Sequence, residues 1–138
     1  MSDVTRLTPP ISLATDAPVL VLVTWPDDRD PQPFLRTLVE ERLVACGNAL
    51  PSMRSIYRWQ DAVHDDAERQ LVLKTSAGRL DALQARVAEL HPYDVPEFLA
   101  IPVLAAASAY LGWLRQAVAP PNPGSDPGPA ASGDLTGT

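Results

Sequence analysis

The residues best suited to chemistry gather in one stretch. In ELHPYDVPEFLAIPV, residues 89–103, a histidine, a tyrosine and two acids fall close together as His91, Tyr93, Asp94 and Glu97. Imidazole beside carboxylate is first-row metal chemistry, and it is equally an acid/base pair. The same stretch carries Pro92, Pro96 and Pro102. Pro92 stops a preceding helix and pushes His91 toward extended backbone. A histidine at a helix C-terminus also meets the negative end of the dipole. Three roles stay open for this corner: a stiff structural turn, a ligand cleft or a catalytic pair.

The sole cysteine, Cys46, is the best soft ligand in the chain for Cu(I). One thiolate cannot hold an ion alone. It needs a histidine beside it, or ligands from further copies of the chain. A free cysteine also serves as a small buried hydrophobe. His64, Asp65, Asp66 and Glu68 make an acidic patch with a histidine, in which positions 64, 66 and 68 share one side of a strand. Weak cation binding and a solvated hairpin face both fit it. Tyr57, Trp59, Tyr110 and Trp113 suit stacking on a ligand or anchoring contacts between subunits. Lys74, the only lysine, reads as a strand-end charge or a functional amine. The candidate metal ligands are thus Cys46, His64, His91 and Glu97, and the candidate cleft residues Tyr57, Trp59, Lys74, Tyr93 and Asp94. There is no glycine-rich phosphate loop, no nucleophile with a recognisable neighbourhood, and no Glu-x-x-His or His-x-x-x-His spacing. We therefore expect a binding protein and not an enzyme.

The elements that must position these residues follow from composition and pattern. The chain has 138 residues, a formal charge of −6 and 46 % hydrophobic residues. This suffices for one domain with a proper core. An acidic chain lacks the basic face that nucleic acid or an anionic membrane requires. No apolar run approaches the ~18 residues of a membrane span, and the N-terminus does not read as a secretory signal. One cysteine permits no internal disulfide and fits a reducing compartment, so a cytoplasmic location is expected.

Residues 1–17 and the proline- and glycine-rich residues 120–138 read as flexible tails with little to bury. Between them the hydrophobic period alternates. Residues 19–24, VLVLVT, form a strand buried on both faces. Asp30 and Pro31 open a helix whose apolar stripe is Phe34, Leu35, Leu38, Val39 and Leu43, ending near Val44. Residues 46–59 are extended but interrupted by Pro51. A second extended run covers residues 63–75. The link between the two lacks glycine, which disfavours a two-residue primed turn. Leu80, Leu83, Val87 and Leu90 mark a second helix. Residues 95–103 read as another strand, and Ser108 caps a last helix. This order is α+β, a ferredoxin-like βαββαβ layout with a C-terminal helix. Such a sheet leaves one face uncovered, and an apolar uncovered face must be closed by association.

LVEERLVACGN, SIYRW, LVLKT and ELHPYDVPEFLAIPV, in this order, resemble the CutA family of divalent-cation tolerance proteins over about residues 19–118. The resemblance implies a homotrimer built through sheet edges and the long hairpin, with an architecture like that of the PII signalling proteins. It also implies binding of copper or other divalent ions, a part in the response to metal ions, and a metal-linked cysteine, which here is Cys46. A PII-like protein that holds a small molecule or partner in its inter-subunit clefts is the alternative.

Overall fold

The computed structural model describes residues 6–120. The elements run β1 (Pro18–Pro26), α1 (Gln32–Glu40), β2 (Cys46–Ala49), β3 (Met53–Trp59), β4 (Ala62–Ser76), α2 (Leu80–Leu90), β5 (Leu99–Pro102) and α3 (Ser108–Val118), with one 3₁₀ turn, Ala77–Arg79, ahead of α2. The antiparallel sheet is ordered β2-β4-β1-β5, and β3 pairs with the outer half of β4. This is the ferredoxin-like order. Its second strand is split into β2 and β3 at Leu50–Ser52, where Pro51 has no N–H for the ladder.

Helices α1 and α2 close one face. Val19, Val21, Val23 and Trp25 of β1 are buried there with Leu71 and Leu73 of β4, Phe34 and Leu38 of α1, and Leu80, Leu83 and Val87 of α2. Each such side chain contributes about 1.5–3 kcal/mol by leaving water. Arg86 joins the two helices, reaching both oxygens of Glu41 at 2.9 and 2.8 Å.

The sequence predicts a first strand buried on both faces, and in the structure it alternates instead. Leu20, Leu22 and Thr24 are only half-buried. Paired residues share a side, so the register lines up Ile101, Leu20, Lys74 and Cys46 on this open face. The next row is Leu99, Leu22, Val72 and Asn48. Leu99 and Ile101, on edge strand β5, are 54 % and 41 % exposed. Helix α3 packs Leu114 and Val118 against Ala45, and Arg115 bonds the Asp16 carbonyl at 3.0 Å. The expected tail at residues 120–138 lies outside the described residues from position 121 onward.

Four local expectations are corrected. Helix α1 ends at Glu40, short of Val44, because Arg42 turns left-handed at φ 60°. Arg42 N–H bonds Val39 and Leu43 N–H bonds Leu38, both at 3.0 Å, the pattern of a Schellman cap with arginine where glycine is usual. The hairpin does close through two residues, Gln60 and Asp61, at φ 50° and 63°. Side-chain pairing along β3 and β4 sets the register, and the turn accepts non-glycine residues in the primed conformation. The last strand begins at Leu99, not Val95, because the segment from Pro92 to Glu97 folds as a corner. Ser108 is the first residue of α3 and makes no side-chain cap; Ala107 occupies the cap position.

Candidate functional site at the His-Pro corner

Helix α2 ends at Leu90, and its C-cap His91 has extended backbone ahead of Pro92. Its imidazole turns inward and is 7 % exposed. Nδ1 accepts from the Tyr93 N–H at 3.0 Å, so that nitrogen carries no proton. Nε2 therefore donates to the Thr24 carbonyl, at 2.7 Å. Both ring nitrogens are engaged, and the ring is a neutral imidazole of one tautomer. Trp25, Phe34 and Tyr93 surround it at centroid distances of 5.0, 6.1 and 4.8 Å. Burial holds its pKa below the ordinary histidine value, against the opposing pull of the Thr24 carbonyl.

Past His91 the corner crosses to the open face. The Tyr93 hydroxyl donates to Glu68 of β4 at 2.8 Å. Burial, and then this bond, push the Tyr93 phenol well above its usual range. Gln70 Nε2 donates to Glu97 and to the Val23 carbonyl of β1, both at 3.1 Å. The corner and the base of the hairpin enclose a cleft of about 840 Å³. Tyr57, Trp59, Tyr93, Asp94 and Glu97, singled out from the sequence, all line it.

Lys74 does not. It sits six residues beyond Glu68 on β4, opposite Leu20 and Cys46, about 20 Å along the strand at ~3.3 Å per residue. Glu68, which the sequence places on a solvated hairpin face, is buried, at 7 % exposure. Its register partners Pro26 and Met53 flank it on both sides, a tertiary fact with no local signal. His64, further out on the same strand, stacks on Tyr57 at 5.3 Å, and the Tyr57 hydroxyl donates to Asp66. The Asp66 bond raises the Tyr57 pKa.

The four sequence-selected metal ligands are not brought together within one chain. Cys46 is half-buried on edge strand β2, with Sγ 3.6 Å from Asn48 Oδ1. Its register partner Lys74 stands ten residues from His64 on β4, about 33 Å at ~3.3 Å per residue. Among the described residues, no group of three or more His, Cys, Asp or Glu could hold an ion.

A family model described as CutA1 divalent ion tolerance protein matches residues 19–117. The chain belongs to this family. It is 44 % identical over 97 residues to the divalent-cation tolerance protein CutA of Thermus thermophilus, covering 70 % of this chain and 94 % of that one. The CutA of Pectobacterium atrosepticum is 39 % identical, with 70 % and 88 % covered. The solved divalent cation tolerance protein from Thermus thermophilus superposes with a TM-score of 0.71 at 42 % identity, covering 74 % of this chain and 99 % of that one. The CutA resemblance and the ferredoxin-like fold both hold, and the HPYDVPE segment that carried them is the corner just described. No helix among the described residues is long and apolar enough to cross a membrane.

Proposed function

We propose that the protein takes part in divalent-cation tolerance as a homotrimer, taking up copper or another divalent ion where its copies meet. The observation that carries this reading is the open sheet face. Leu20, Leu22, Val72, Leu99 and Ile101 lie on it in register, and an apolar surface of this kind is closed by association. Cys46 ends one of its rows, on the edge strand. One thiolate is an incomplete site, and the described residues of a single chain supply no partner set for it, so the ligands come from more than one copy. His91 contributes to the architecture of the corner, since both its nitrogens are engaged. The role is binding and not catalysis, with neither nucleic acid nor membrane as partner. One free cysteine suits a cytoplasmic setting.

Native mass spectrometry during titration with Cu(I), Cu(II) and zinc tests this. The expected result is a trimer that saturates at one ion per trimer or one per chain, with Cu(I) uptake lost in Cys46→Ser. Scattered, unsaturable uptake that Cys46→Ser leaves unchanged would contradict it.

A further inference from the structure

The cleft beside the corner carries charge of one sign. Glu68, Asp94 and Glu97 line it, and among the described residues no lysine, arginine or histidine does. Glu68 is the buried member, and among the described residues its carboxylate accepts a single hydrogen bond, from Tyr93. No described basic side chain forms an ion pair with it. His91, on the far side of Tyr93, is held neutral and supplies no counter-charge. A carboxylate taken out of water without a cation beside it is costly.

The remaining wall selects the kind of cation. Met53, Ile56 and Val95 are apolar, and Tyr57 and Trp59, 41 % and 47 % exposed, add aromatic surface. Aromatic rings attract organic cations. A hard divalent ion instead wants six or more oxygens at fixed distance. Here one oxygen of Glu68 and one of Glu97 already accept hydrogen bonds, from Tyr93 and Gln70. A volume of about 840 Å³ lies within the ~300–1,000 Å³ typical of small-molecule sites. We propose that this cleft binds a small organic cation, an ammonium or guanidinium group placed against Glu68 with an apolar body against Tyr57 and Trp59. The inference rests on the cleft alone and stands apart from metal uptake, which is read on Cys46.

The test uses the full chain in its native assembly. Phenethylamine is the charged probe and 2-phenylethanol its uncharged match in shape. Binding is followed by calorimetry and by tryptophan fluorescence. Phenethylamine should bind saturably, one per chain, and roughly tenfold more tightly than 2-phenylethanol, as expected when a charged hydrogen bond is lost. Glu68→Gln should remove that preference. Trp59→Ala, at an exposed position that does not threaten folding, should weaken phenethylamine several-fold and keeps the test decisive if Glu68→Gln misfolds. Equal binding of the two probes would overturn the proposal, as would binding unchanged in both variants. So would no binding at millimolar concentration, including the case in which a basic side chain of a second copy already fills the cleft and phenethylamine binds only after dilution to single chains.

Discussion

The two faces of the sheet are made from the same strands and finished differently. On the helix side, Val21, Val23, Leu71 and Leu73 are fully buried. One residue along each strand, Leu20, Leu22 and Val72 are half-open, and Leu99 and Ile101 on the edge strand are exposed. Both faces carry apolar side chains at these positions, so hydrophobicity alone does not separate them. Helices α1 and α2 cover only one side, and α3 packs Leu114 and Val118 at Ala45, leaving Leu99 and Ile101 exposed. The closed face completes the subunit. The open face has Cys46 at one end and the acidic cleft at the other, and on the reading proposed above it serves association and ligands.

Adjacent residues of β1 give the hardest test of this division. Val21→Asp places an unpaired carboxylate in the closed core and should cost more than the whole stability of a domain, about 5–15 kcal/mol; the far-UV circular dichroism of a folded chain should be lost. Leu20→Asp makes the same change one residue away, on the open face. It should keep the folded spectrum while the assembly falls apart in sedimentation. If both variants behave alike, the two faces are not distinct.

The corner connects the faces, and His91 is its pin. His91→Ala removes two hydrogen bonds and the packing of Trp25, Phe34 and Tyr93, and should cost about 3 kcal/mol in urea unfolding. The wild-type pH dependence sharpens the point. The folded state holds His91 below its unfolded value of about 6.5, so its contribution is complete above that pH. Below it, the unfolded chain takes up a proton that the folded chain refuses, and stability falls toward the folded pKa. His91→Ala should flatten that part of the curve. A smaller effect is expected away from both faces: Arg42→Gly relieves the left-handed cap of α1 and should raise stability by about 1 kcal/mol.

Much of this is legible in the sequence because its causes are local. Pro51 splits the strand where it stands, and Pro92 ends α2 after His91. The stripe Leu80, Leu83, Val87 sets the buried side of that helix. What is not legible depends on neighbours distant in sequence. Glu68 is buried because Pro26 and Met53 flank it across two strand pairs, and nothing in HDDAERQ announces that. Residue type groups Lys74 with the cleft, but strand length carries it to the other end of the sheet. The missing glycine argues against a tight hairpin turn, whereas the pairing of β3 with β4 decides its geometry. The cleft residues on the corner and hairpin stand out from the sequence because they share two short contiguous motifs.

The central claim is that the open face is completed by other copies of the chain. Sedimentation equilibrium of the metal-free protein over a wide concentration range tests it most directly. The account predicts a stable mass of three times the 14.9 kDa chain. A mass of one chain, with the open face of β1 and β5 still accessible to solvent, would contradict it.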